Sequence, residues 1–149
     1  MSKEEILNIL PTPEGDVFAK IKESNPYNIM LHYANAINEK YKGKLSATIT
    51  ESSITESSDS STTLISYAFY INAPIGRGYF YRLFEIIPDK NSPYPVEIKL
   101  FEKQTLDLGK AETSQAFNTK LLSIFKSGFT STLFLNLLAQ VDLSNENKK

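Results

Sequence analysis

The sequence predicts an α+β domain of two layers, in which N-terminal and C-terminal helices pack on one face of a four-stranded antiparallel meander. Three observations carry this prediction. Apolar residues recur at helical spacing over residues 26–41, short β-branched and aromatic runs fill residues 64–101, and helical spacing returns over residues 111–141. The length and the 41% hydrophobic content suit a single domain over residues 1–149.

Residues 1–24 are predicted to form a loosely attached N-terminal segment. Residues 3–10 have the composition for one or two helical turns, and a second short segment follows over residues 17–22. Pro11 and Pro13 separate the two, because proline lacks a backbone donor and interrupts helical hydrogen bonding. Neither piece is expected to contribute much to the core.

A longer helix is predicted to begin at Asn25 and Pro26. Asparagine caps free backbone amides, and proline suits the first helical position. Gly43 supplies a C-terminal stop. Between these signals the apolar residues recur at spacings of three and four and form one stripe: Ile29, Met30, Tyr33, Ala34, Ile37 and Tyr41. We expect this stripe to lie on the sheet.

The first strand is predicted over residues 45–55, where Leu45, Ala47 and Ile49 alternate with hydroxyl-bearing residues. This period of two is typical of a half-exposed strand, here at the edge of the sheet. Residues 51–63 form a run rich in serine and threonine, too polar to bury. We expect a strand end followed by a mobile hairpin loop.

Three further strands are predicted near residues 64–73, 78–87 and 95–102. The connections at 74–78 and 88–93 contain proline or glycine and are short enough for antiparallel hairpins. A meander follows from this order.

Two C-terminal helices are predicted within residues 111–141, separated at Gly128. The apolar residues that mark them are Ala116, Phe117, Leu121, Ile124 and Phe125, then Leu133, Phe134, Leu137, Leu138 and Val141. Residues 144–149 are polar and charged, so they are expected to be a disordered tail.

The strand at residues 79–87 has no obvious polar side. The fourth strand separates its faces clearly, and four residues of it are predicted to face the helices: Tyr94, Val96, Ile98 and Leu100. If Phe80, Phe84 and Ile86 also enter the core, the outer face of the sheet becomes a candidate interaction surface. Its predicted members are Tyr70, Tyr79, Tyr81, Leu83, Glu85, Glu97 and Lys99. A slip in register would exchange the two sets.

Catalytic and metal-binding motifs are not recognisable in the sequence. The chain has no cysteine and one histidine, His32, which falls on the solvent side of its helix. Glu85 and Glu97 lie on neighbouring predicted strands, but Lys99 offers a cross-strand partner, so a solvated ion pair explains them better than acid-base catalysis. We predict no enzyme activity, no cofactor and no metal.

Residues 77–84 are partly similar to the signature of the RNA-recognition motif, in which outward aromatic rings stack on bases. Tyr79 and Tyr81 would be those rings. Phe80 stands where that signature has a small residue, and Arg82 replaces an aliphatic one. The net charge of −1 also favours no nucleic-acid partner.

The function predicted from these features is a non-enzymatic protein-interaction or assembly module, which uses the outer sheet face or a sheet edge to bind a protein partner or a second copy. One alternative is a domain that binds a small apolar or aromatic ligand, with Tyr70, Tyr79 and Tyr81 at its mouth. The other is binding of single-stranded nucleic acid through Tyr79 and Tyr81.

The predicted location is the cytoplasm, with no membrane partner. The first residues carry acids beside a lysine and do not resemble a signal peptide. No apolar stretch approaches the roughly 20 residues that cross a bilayer. The absence of cysteine suits a reducing compartment.

Overall fold

The computed structural model describes residues 2–55 and 63–146. Over these residues the chain forms five helices and five strands. In chain order they are α1 (Lys3–Ile9), α2 (Asp16–Ser24), α3 (Pro26–Lys40), β1 (Ser46–Thr55), β2 (Thr63–Ala73), β3 (Tyr79–Pro88), β4 (Val96–Phe101), β5 (Thr105–Ala111), α4 (Ser114–Lys126) and α5 (Gly128–Glu146).

The strands form one antiparallel sheet in the order β1-β2-β3-β4-β5. The predicted α+β class and antiparallel meander are confirmed, but the number of strands was wrong because β5 was missed. This strand is short and contains Gly109 at φ +78°, a conformation that favours glycine. It is fastened to α4, where the Lys120 ammonium donates to the carbonyl oxygen of Leu108 at 2.9 Å.

Helix α3 begins as predicted and packs on β1. The Asn25 side chain accepts a hydrogen bond from the Tyr27 amide at 2.9 Å, and Pro26 occupies the first turn. Met30, Ala34 and Ile37 of this helix are buried, whereas His32, Asn35 and Glu39 are exposed.

The β1-β2 hairpin extends into the run rich in serine and threonine. Its pairing runs without a shift from Ser46 opposite Asn72 to Thr55 opposite Thr63. Residues 51–55 therefore belong to β1 and Thr63 to β2, which corrects the ends of the predicted loop. The rest of that loop lies outside the described residues.

Helices α4 and α5 follow the predicted break. The Ser127 hydroxyl oxygen accepts from the Thr130 amide at 3.2 Å and caps the start of α5. This helix continues to Glu146, so residues 144–146 are helical and not part of a disordered tail. Residues 147–149 lie outside the described part. None of the described helices alone meets the length and hydropathy of a membrane span, whereas α4 and α5, bent by 52°, meet them only as a pair.

The core lies between the sheet and helices α3, α4 and α5. The rings of Phe69 and Phe84 stack at 4.9 Å between centroids, and Phe125 meets Phe69 edge to face at 5.5 Å. The β4 residues predicted to face the helices contribute Val96 and Ile98, both fully buried. This packing leaves the other side of the sheet, called here the open face, without any of these three helices.

The N-terminal helices add nothing to this core. Neither α1 nor α2 contains a buried residue. Several of their large apolar side chains are exposed: Ile6, Leu7, Ile9, Val17, Phe18 and Ile21.

Candidate functional site

A β-bulge at Leu83 determines which side chains reach the open face. Phe69 pairs with Phe84, but the next residue of β2, Tyr70, pairs with Arg82. Leu83 therefore has no partner on β2, and its side chain is fully buried. A bulge of one residue reverses the alternation of side chains along the rest of the strand.

The bulge moves two predicted surface residues to the helix side of the sheet. Tyr81 pairs with Ile71, and Tyr79 pairs with Ala73, both of which are core residues. The prediction that Tyr79, Tyr81 and Leu83 line the outer face was therefore wrong.

The Tyr81 side chain is held in this position by the end of β4 and by α5. Its hydroxyl donates to the carbonyl oxygen of Phe101, and its ring lies 6.1 Å from that of Phe129. Burial raises the pKa of Tyr81, with smaller contributions from Tyr79 and Glu102. Tyr81 is thus a packing residue and not an outward ring.

The other predicted residues do lie on the open face. Tyr70 pairs with the outward Arg82, and Glu85 pairs with Lys99. Glu97 lies on the same side of β4 as Lys99. The structure therefore brings four of the seven predicted residues together.

The sequence analysis missed three open-face residues near Tyr70: Phe80, Arg82 and Phe101. Phe80 has 69% of its surface exposed and meets the Tyr70 ring edge to face at 5.9 Å. The Arg82 guanidinium lies 3.9 Å from the centre of the Phe101 ring, a cation-π geometry. Together these four side chains form an aromatic stripe with one cation across β2, β3 and β4.

The sequence does contain one signal for this arrangement. Arg82 and Glu85 fall on opposite parities of a regular strand, so one of the two charges would have to face the core. A bulge between them lets both reach solvent, and Leu83 is the apolar residue available to be buried there. In the structure the Arg82 guanidinium lies 3.8 Å from the Glu85 carboxylate on the open face.

The charges of the open face are balanced. The face carries three basic residues and three acidic residues, interleaved across β3, β4 and β5: Arg82, Lys99, Lys110, Glu85, Glu97 and Asp107. Lys99 pairs with both Glu85 and Asp107, and Glu97 pairs with Lys110. Cross-strand pairs of opposite charge are favourable and leave the face with no net charge.

The edges of the sheet are partly occupied by the chain itself. At β1, the side-chain oxygen of Asn38 on α3 accepts from the Ala47 backbone amide at 2.7 Å, and the side-chain amide of Asn38 donates to the Ala47 backbone carbonyl oxygen at 3.4 Å. On β5, the Asp107 carboxylate accepts from the Gly109 amide at 2.8 Å, within a local irregularity of the strand. Such features hinder the addition of another strand, so the face is a better candidate surface than either edge.

Other chemistry in the molecule is sparse. His32 is exposed on α3, as expected from its spacing. Within residues 2–55 and 63–146, no group of three or more His, Asp and Glu side chains could hold a metal ion. No family model, no curated protein and no solved structure matches this chain.

Proposed function

We propose that this chain is a non-enzymatic assembly module that associates with a second copy through the open face of its sheet. The observation that carries the proposal is Phe80, a large aromatic residue that is 69% exposed beside Tyr70 on a face left free by α3, α4 and α5. Exposed aromatic residues are typical of interface anchors.

The charge pattern favours a second copy as the partner. A two-fold interface joins the same patch on both subunits, so each basic residue must find an acidic residue on an identical surface. The open face provides three of each sign, interleaved across the three strands that carry them. A strongly charged partner would leave half of these charges opposed to like charges.

The size of the face is adequate for a weak or moderate dimer. Five strands at a spacing of about 4.8 Å, with lengths of about 25 Å, give a projected area of roughly 600 Å². Stable interfaces bury about 800 Å² per partner. Face-to-face packing of two sheets would therefore have to use the whole of the open face.

The two alternatives from the sequence receive less support. Stacking of nucleic-acid bases was predicted through Tyr79 and Tyr81, but both side chains lie on the helix side of the sheet. A ligand site with Tyr70, Tyr79 and Tyr81 at its mouth needs three side chains that the bulge places on two different faces. The cytoplasm remains the proposed location, because a chain without cysteine suits a reducing compartment.

Sedimentation velocity over a range of concentrations tests the proposal. We expect Phe80→Glu to weaken self-association by at least roughly tenfold, because it places a charge in the aromatic stripe. Val17→Glu, at an exposed apolar position on α2, is the matched control and should sediment like the wild type. A wild-type chain that stays monomeric at high concentration would contradict the proposal, as would equal effects of the two variants.

A further inference from the structure

A second apolar surface lies on the helical layer, where α3 and α5 flank a cleft of about 370 Å³. Six aromatic and aliphatic side chains supply most of its lining: Tyr33, Ile37, Tyr41, Phe134, Leu135 and Leu138. Leu135 is 64% exposed at its rim. An exposed leucine beside an apolar cleft is typical of a groove that receives a helix.

The floor of this cleft is built from aromatic pairs. At one end the rings of Tyr33 and Phe125 stack at 4.9 Å, and at the other Tyr41 meets Phe134 edge to face at 5.8 Å. Lys40 is the only charged residue among those lining the cleft. An occupant of matching chemistry is therefore apolar along its length and acidic at the Lys40 end.

Helix α1 of this chain has that chemistry. All of its residues are exposed. Ile6, Ile9 and the C-cap residue Leu10, which directly follows the helix, have the i, i+3, i+4 spacing of a single stripe. Glu4 and Glu5 lie in its first turn. The helix thus has an apolar stripe with no partner in its own domain and an acidic end.

The dimensions of the helix and the cleft also agree. The seven residues of α1 span about 10 Å, and the segment of α3 from Tyr33 to Lys40 spans about the same length. With Glu4 and Glu5 placed near Lys40, the apolar stripe would run along the cleft towards Tyr33. Charge and length therefore specify one orientation of the docked helix.

We propose that α1 of one copy docks in the α3-α5 cleft of a second copy, and that the second copy returns the same contact. Pro11 and Pro13 lie in the linker between α1 and α2, where fixed φ angles favour extended chain and carry α1 away from its own domain. When each copy places its α1 in the cleft of the other, the result is a closed two-fold dimer in which neither apolar stripe of α1 stays exposed. This contact uses a different surface from the open face and does not depend on it.

A peptide of residues 2–12 with a fluorescent label tests the cleft directly. The receiving protein is the full chain with Ile9→Glu, whose own α1 carries a charge in its apolar stripe. We expect saturable binding by fluorescence anisotropy. Adding Leu135→Glu should weaken it at least roughly tenfold, while Leu143→Glu, at an exposed leucine of α5 outside the cleft, should leave it unchanged.

The contact between Lys40 and the acidic end of α1 should contribute less to peptide binding than the apolar contacts. Lys40→Glu should weaken peptide binding by about two- to fivefold, because exposed ion pairs contribute little. Absence of binding, or equal binding to the Leu135→Glu and Leu143→Glu proteins, overturns the proposal. Binding of a small apolar dye in the cleft without binding of the peptide would assign the site to a small ligand instead.

Mixing two variants separates exchange between copies from docking within one chain. In a Phe80→Glu background, which removes the open-face contact, the Ile9→Glu chain keeps its cleft and the Leu135→Glu chain keeps its α1. We expect each alone to sediment as a monomer and the mixture to form a heterodimer. A mixture that stays monomeric overturns exchange, while the Phe80→Glu comparison in the otherwise wild-type chain still reports on the open face.

Discussion

Tyr94 donates a hydrogen bond from its hydroxyl to the main-chain carbonyl oxygen of Ser24 at 2.6 Å, although 70 residues separate them. This bond joins the residue that ends α2 to the loop that precedes β4. The Tyr94 ring also packs edge to face on Phe117 of α4 at 6.4 Å. One side chain therefore links the sheet, the C-terminal helices and the end of the N-terminal segment.

The stability of the fold should fall in alkaline solution because of Tyr94. Burial raises the pKa of Tyr94 to about 12, above the value of 10.0 expected for an unfolded tyrosine. The folded state favours the neutral phenol, so this contribution is complete below pH 10 and is lost as the pH rises from 10 towards 12. Denaturant unfolding at pH 8 and pH 11 should show a smaller alkaline loss for Tyr94→Phe than for the wild type.

At neutral pH the same variant tests the hydrogen bond itself. Tyr94→Phe removes the donor to Ser24 and should lower the free energy of unfolding by about 0.5–1.5 kcal/mol. Equal alkaline losses in the wild type and the variant would show that this phenol is not the titrating group.

The bulge at Leu83 predicts an unusual order of mutational effects along β3. Phe80→Ala should change the free energy of unfolding by less than about 0.5 kcal/mol, because the side chain is exposed. Tyr81→Phe should lower it by about 0.5–1.5 kcal/mol through loss of the bond to Phe101. Leu83→Ala should cost about 2–5 kcal/mol, as for other buried leucines.

Urea denaturation of the three variants checks this order. An unbroken strand with Phe80 in the core predicts the opposite ranking of Phe80→Ala and Tyr81→Phe. That ranking would contradict the bulge and, with it, the position of the aromatic stripe on the open face.

The hydrogen bonds from Asn38 to Ala47 should stabilise the fold and also protect the β1 edge of the sheet. Asn38→Ala leaves the Ala47 amide without its partner and should lower the free energy of unfolding by about 1–3 kcal/mol. Asn35→Ala, at an exposed position on the same helix, is the control. Light scattering should also detect more aggregation for Asn38→Ala, because an uncovered edge strand pairs with other strands. If both variants behave alike, Asn38 does not protect the edge.

The parts of the fold with strong local signals could be predicted from the sequence. The cap at Asn25 and Pro26, the alternation in β1 and β4, and the break at Gly128 each follow from a few neighbouring residues. Strand β5 could not be predicted in the same way. Gly109 interrupts its alternation, so its pairing with β4 depends on contacts distant in sequence.

The candidate site was predicted only in part for a similar reason. Period-two alternation places Glu97 and Lys99 on the open face, because β4 is regular beside β3. The same rule fails on β3. Leu83 has no partner on β2, so the side chains of the β3 residues before it lie on the opposite side of the sheet from the one that regular alternation predicts. Arg82 was therefore separated from Glu85, although the two charges together indicate the bulge.

The most direct test of the open face as an assembly surface is a distance between two copies. The chain has no native cysteine, so a single spin label can be attached through Thr48→Cys on the open face, or through Leu143→Cys on the helical layer as a control. Sheets that pack face to face lie about 10 Å apart, so pulsed electron paramagnetic resonance should give a Thr48 peak near or below about 25 Å. Both labels are placed in the Ile9→Glu chain, in which α1 does not dock, so that only the open-face contact remains. There the Leu143 labels should lie beyond about 40 Å. Short distances between the Leu143 labels, or no dipolar signal from the Thr48 labels, would contradict the account.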